Sequence, residues 1–409
     1  MRKILGLLIV LTVLLFGDNN ESYFENWKMS NQLNNYFVNI KKEKLKANNY
    51  DEYVGYTALQ TNIDYNKDRF YFQATPYMYI YQSSSNNKIK GGEKEFEKSD
   101  IFFRSLYGKY TINDKWGVGF GVLPFSNSSF MQYNNDYISD GEGLSTLNDS
   151  DFLSLFGTYN IRENTKTVFG MGTLDTGIIP VGKYSDDTMK KMQTAFIIVK
   201  DNYEKWKFTY ELAYGKNFYE DTYIGNGLLF GLGSAWDDSE FSGWTFYNIV
   251  GLSYFHNKIG NAREQILTDN NIPQNYPELF PNQFAFDDKK YYGASNLFGF
   301  RKDLDIFPLD TMINIEWFHT FGDWASHNTG SPYNSNCNQI YSIRNNSYFI
   351  NYGIRATENL MIKINYAYLE FKEVGKIGAD LDTIPTNERL FGPQRTKTEI
   401  IKLELRYKF

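Results

Sequence analysis

The segment Ile401 to Phe409 alternates without a break. Ile401, Leu403, Leu405, Tyr407 and Phe409 are apolar or aromatic, and Lys402, Glu404, Arg406 and Lys408 between them are charged. Successive side chains of a β-strand point to opposite faces. A soluble core has no use for a charge at every second position, whereas a wall between lipid and water does. The same period recurs along the chain. Trp206, Phe208, Tyr210 and Leu212 alternate with Lys207, Thr209 and Glu211. Ile313, Ile315 and Trp317 alternate with Asn314, Glu316 and Phe318, and Ile362, Ile364, Tyr366 and Tyr368 alternate with Lys363, Asn365 and Ala367. The stretches 225–236, 243–256 and 290–302 alternate less cleanly. The pattern predicts an all-β chain folded as a transmembrane antiparallel β-barrel.

Composition closes off the other classes. No apolar run approaches the ~20 residues of a membrane-crossing helix. Aromatic residues make up 18% of the chain, with 33 Tyr and 33 Phe, against the aromatic-poor habit of disordered chains. Cys337 is the only cysteine, so no disulfide framework exists, and a net charge of -6 disfavours nucleic-acid partners.

Residues 1–17 read as a secretory signal peptide: basic Arg2 and Lys3, the apolar run Ile4 to Phe16, then Gly17 before a polar stretch. Residues 18–30 read as a short N-terminal periplasmic segment, and 31–409 as the barrel. Short turns are expected at 66–68, 113–114, 162–164, 202–204, near 237–242, near 303–309 and at 358–359. Long loops are expected at about 83–99, 125–150, 175–190, 216–224, 257–289, 323–345 and 373–395. Short and long alternate, as do the periplasmic turns and outer loops of membrane barrels. With a first strand within Leu33 to Leu45, the count is about 16 strands. Pro76 falls inside the strand 69–82 and deletes a ladder hydrogen bond, so a bulge or local edge defect is expected there.

Strand count, loop asymmetry and the terminal strand together resemble Gram-negative outer-membrane porins. The terminal aromatics Tyr407 and Phe409 resemble the signal by which the barrel-assembly machinery recognises such chains. The resemblance implies a bacterial outer-membrane location, contact with outer-membrane lipid and lipopolysaccharide, and a homotrimer. It also implies a water-filled channel, since sixteen or so strands enclose one, with inward faces that are polar or small. The third outer loop, 125–150, matches by place and length the loop that narrows general porins.

Charge gives that loop a role. No Lys or Arg occurs from Trp116 to Ile161, whereas Asp136, Asp140, Glu142 and Asp149 do. Acids in a constriction attract cations. Facing them, Lys109, Lys205, Lys207, Arg355, Lys363, Lys402 and Arg406 are predicted to point inward from the wall. The expected function is therefore passive diffusion of small hydrophilic solutes with a cation preference. One alternative is a channel selective for a sugar, carboxylate or peptide, with Tyr71, Tyr77, Tyr79 and Tyr81 as inward rings for a sugar. Another is an adhesin or receptor acting through loops 257–289 and 323–345. No catalytic constellation, cofactor motif or metal site is legible. His256, His319 and His327 lack a nucleophile held by a base and a third group, and Asp136, Asp140 and Glu142 lack the spacing of a calcium loop.

Overall fold

A computed structural model describes residues 26–44, 50–83, 100–124, 151–173, 193–216, 226–256, 290–306, 309–322, 344–373 and 396–409. Among them every regular element is a strand. The first eight are β1 (Trp27–Lys44), β2 (Tyr50–Lys67), β3 (Phe70–Ser83), β4 (Asp100–Thr111), β5 (Trp116–Pro124), β6 (Asp151–Arg162), β7 (Thr165–Thr173) and β8 (Gln193–Tyr203). The second eight are β9 (Trp206–Lys216), β10 (Asn226–Asp238), β11 (Trp244–His256), β12 (Lys290–Ile306), β13 (Leu309–Gly322), β14 (Arg344–Arg355), β15 (Leu360–Glu373) and β16 (Thr396–Lys408). The signal-peptide reading of 1–17 and the constriction-loop candidate 125–150 lie outside the described residues.

Each strand pairs antiparallel with its sequence neighbours, and β1 closes on β16 to complete the barrel. Closure leaves no edge, as backbone in lipid requires. The seam runs from Gln32 opposite Lys408 to Lys44 opposite Thr396. At its lower end Asn31 and Phe409 exchange both backbone hydrogen bonds at 3.0 Å.

The two faces differ as the alternation requires. Many outward side chains are apolar and open: Phe120 is 60% exposed, Leu155 56% and Met171 66%. Water would not leave such side chains uncovered over a whole surface, so lipid is their solvent. Trp27, Trp116, Trp206, Trp236 and Trp244, out of 7 tryptophans in the chain, lie at the strand ends beside the short turns. They pair with neighbouring rings, Trp27 with Tyr65 at 4.7 Å and Trp116 with Tyr159 at 4.3 Å. This is the aromatic girdle of one membrane interface.

The structure adjusts three sequence expectations and bears out a fourth. The first strand begins at Trp27, before residue 31. Most of the stretch expected as a turn near 303–309 is strand, because β12 runs to Ile306 and β13 starts at Leu309. Pro76 sits at a register shift: Thr75 faces Ser105 and Pro76 faces Phe103, so Arg104 is the extra residue. That is the bulge expected of a proline in a paired strand. Lastly, the inward face is not uniformly polar or small. Ile249, Leu297 and Phe318 face one another across β11, β12 and β13, each at most 2% exposed. Leu229 and Met312 are likewise buried. With apolar residues on both faces the period of two fades, which is why 225–302 reads poorly as sequence.

Candidate functional site in the barrel lumen

Face parity decides what lines the lumen. On β15 Ile364 is exposed outward, so Lys363 points in, and on β16 the outward Ile401 and Tyr407 place Lys402, Glu404 and Arg406 inside. These inward groups meet across the β15–β16 pair, where Lys363 stands opposite Glu404. Glu404 is the hub. Arg406 donates to its Oε1 through Nη2 at 2.9 Å and Nε at 3.2 Å, and Lys363 Nζ lies 3.9 Å from the same oxygen. Lys402 Nζ sits 5.4 Å from the centre of the Tyr36 ring on β1. A carboxylate fully buried beside a guanidinium and an ammonium is tolerable only because it is paired.

A second set of ion pairs lies near the short turns. Lys207 Nζ meets Asp237 Oδ2 at 2.5 Å across β9 and β10, and Thr245 donates to the other oxygen at 3.2 Å. Arg301 on β12 grips Asp303 with two bonds, 2.6 and 2.7 Å. Deeper in the wall, Tyr247 on β11 reaches two strands across. Its hydroxyl lies 2.8 Å from Asn314 Oδ1 on β13 and also contacts Glu316. The ring crosses β12 over Gly299, where a Cβ would collide with it. The opposite wall carries rings. Tyr71 donates to Asp64 at 2.6 Å and lies 5.9 Å from Tyr107, which is edge-on to Phe156 at 5.8 Å.

The residues singled out from the sequence divide accordingly. Lys363 and Arg406 are brought together at Glu404, and Lys402 is their neighbour on β16. Lys207 is inward and paired. Lys109 is inward on β4 and partly covered, its Cε near Gly117 on β5, and Arg355 faces Asp310 and Met361 at the foot of β14. Lys205 departs from expectation. It lies in the turn after β8, pairs with Asp238 at 2.5 Å and rests 5.9 Å from the outward Trp236 ring. A turn residue is released from the strict alternation of its strand, so it swung to the outer rim. Tyr407 and Phe409 are outward, 44% and 59% exposed, and stacked at 5.9 Å. Asp136, Asp140, Glu142 and Asp149 lie outside the described residues, as do the side chains of Tyr77, Tyr79 and Tyr81.

Sequence reasoning missed Glu404 as the hub, although its place in the alternation already put it inside. It also missed Tyr247, Asn314 and Glu316, which meet only through the registers of three strands. Several inward polar atoms find no protein partner among the described residues: Asn34 Nδ2, Asn314 Nδ2, both amide atoms of Asn365, and Glu404 Oε2. Buried polar atoms in this state normally call for water or another polar molecule.

No family model matches the sequence, and no curated protein matches it. Solved structures do match in shape. OmpF of Salmonella typhi, in complex with daunomycin, aligns over 95% of this chain and 99% of its own, with 9% identity and a TM-score of 0.52. An anion-selective porin from Comamonas acidovorans aligns over 94% of this chain and 99% of its own, with 9% identity and a TM-score of 0.51. OmpT expressed in the outer membrane of Vibrio cholerae covers 94% and 97%, at 9% identity and a TM-score of 0.50. The fold is that of an outer-membrane porin. The apolar outer band and the aromatic girdle are consistent with a place in the bacterial outer membrane. At this identity the likeness is one of architecture.

Proposed function

We propose that this chain is an outer-membrane porin, a water-filled conduit for passive diffusion of small hydrophilic solutes. The observation that carries the reading is a closed 16-strand barrel with an apolar outer band and ion-paired, hydrogen-bonding groups on its inner face. Sixteen strands enclose more space than their own side chains fill, and polar atoms without protein partners favour a wetted wall. The reading is of a conduit and not of a catalyst, and it includes assembly with further copies of itself.

Selectivity in this reading comes from loop 125–150. Wall bases Lys207, Arg301 and Arg406 are held against Asp237, Asp303 and Glu404, which mutes their charge. The acids Asp136, Asp140, Glu142 and Asp149 occupy a stretch with no basic residue to offset them. Placed at a constriction they favour cations. A second reading, a channel selective for one sugar, draws on the inward Tyr71, Tyr107 and Phe156 rings. Flux that saturates with a single solute would favour it.

The test is reconstitution of the full chain in planar bilayers under a salt gradient. Open channels with a reversal potential of cation sign are expected. Replacing Asp136, Asp140 and Glu142 together by Asn, Asn and Gln should shift that potential toward the anion side. Absence of any conductance would overturn the porin reading, and an unmoved reversal potential would overturn the role of the loop.

A further inference from the structure

One row of the inner wall is built unlike the rest. Asn314 on β13, Asn351 on β14 and Asn365 on β15 stand opposite one another in register. Arg301 on β12 flanks them at one end and Lys402 on β16 at the other. The preceding residues Ile350, Ile364 and Ile401 are exposed on the outer face. The row therefore points into the lumen at the depth of the apolar band. Among the described residues no other inward row carries three amides.

These amides are not spent on one another. On the β1–β2 wall Gln32 donates to Asn34 and Gln60 donates to Asn62. In the β13–β15 row neither amide atom of Asn365 has a partner among the described residues, and Asn314 engages Tyr247 through its oxygen but leaves its nitrogen unpaired. Two residues nearer the short turns, Glu404 leaves Oε2 without one. Asn314 and Glu404 are fully buried and Asn351 nearly so. A carboxamide is planar, with two donors and one acceptor, and a peptide group is planar with one of each. The two pair at two points, donor to acceptor both ways, as backbones do between strands. Sugar hydroxyls do not share one plane. The next row toward the outer loops is apolar, with Phe349, Ala367 and Ile400 in register. A few placed polar groups beside apolar lining are the makings of a solute site.

We infer that this row is a binding site for short peptides, held by their main chain. Peptide groups pair with Asn365, Asn351 and Asn314, and apolar peptide side chains rest on Phe349, Ala367 and Ile400. Lys402, with Lys363 and Arg406 beside it, draws the terminal carboxylate to the β16 end. There Glu404 Oε2 accepts the last N–H. Strands lie about 4.8 Å apart, so the row from Asn314 to Lys402 is about 14 Å long. An extended tripeptide, about 10 Å long, fits within it. The inference rests on the porin reading in one respect, that solutes reach this wall through the lumen.

The probe is triglycine, which is main chain alone. Its control is 8-aminooctanoate, a zwitterion of the same length with methylenes in place of both peptide groups, and maltotriose is the control for hydroxyls. With the full chain in planar bilayers, triglycine should block the ion current saturably. Its half-blocking concentration should lie about tenfold or more below those of both controls, the worth of one or two net hydrogen bonds. The double variant Asn351→Ala and Asn365→Ala should erase that gap, and Asn365→Gln, which keeps an amide, should retain part of it. Equal block of the wild type by triglycine and 8-aminooctanoate overturns the inference whatever the variants do. So does equal block by maltotriose, which would mean a wall that takes any polar solute, and so does a gap that the double variant leaves intact. Calorimetric titration of the detergent-purified chain reads binding without conduction. Heat from triglycine and none from 8-aminooctanoate, in a chain that passes no current, would strike the porin reading and leave the site standing. Current without the preference would do the reverse.

Discussion

Single side chains in this wall act as braces between strands that are not neighbours. Tyr247 is the clearest. It ties β11 to β13 through Asn314 and Glu316, and it can do so only because Gly299 leaves the surface of β12 bare beneath the ring. Tyr247→Phe keeps the ring and removes the hydroxyl, leaving a buried amide and carboxylate short of a partner. The expected cost is about 1–3 kcal/mol. Gly299→Ala pushes the ring off its seat and should cost a similar amount, and the double variant should cost less than the two together, since both break one contact. The folded fraction against denaturant or temperature is the measurement. Strict additivity would show that ring and glycine act independently. Glu404 was within reach of the sequence, being the acid set between Lys402 and Arg406 on the inward face. Tyr247 was not, because nothing along the chain says which residues lie two strands away.

At the scale of the strand, the decisive element is β16. It supplies both the inward hub Glu404 and the seam with β1. Deleting Phe409 removes the pair of backbone bonds to Asn31 and the ring stacked on Tyr407. Lower amounts of folded barrel in the outer membrane are expected, with export across the inner membrane unchanged. Normal barrel levels in the truncated strain would remove Phe409 from assembly. Strands of this kind were legible wherever one face is charged, as in β9, β15 and β16. They were poorly legible where the wall is apolar on both sides, as around Leu228, Leu229 and Phe230. The start of β1 was hidden for the opposite reason. Asn31 and Asn35 put polar groups on the outer face, so the alternation vanished where the strand had in fact begun. β5 is legible in another way. Gly117, Gly119 and Gly121 all point inward, leaving room that Thr158, Phe156 and Tyr107 occupy, and Gly121 holds a φ of 135° that other residues avoid.

For the whole molecule, the architecture supplies a tube and the charges must supply its preferences. Inward bases and acids are interspersed around the described wall, from Lys207 with Asp237 to Lys363 and Arg406 with Glu404. A lumen wide enough for hydrated ions lets salt screen such charges. The screening length is about 10 Å at 0.1 M and about 3 Å at 1 M. If the acids of loop 125–150 act through their field, the cation-to-anion permeability ratio should be highest in dilute salt and fall toward the ratio of bulk mobilities near 1 M. Reversal potentials taken at a fixed gradient but rising mean concentration check this. A ratio that stays constant would mean that ions are stripped of water at a tight contact, and selectivity would then belong to coordinating groups instead of a charged eyelet. The Asp136, Asp140 and Glu142 replacements separate the two cases further, because a field effect should vanish with them at low salt and make no difference at high salt.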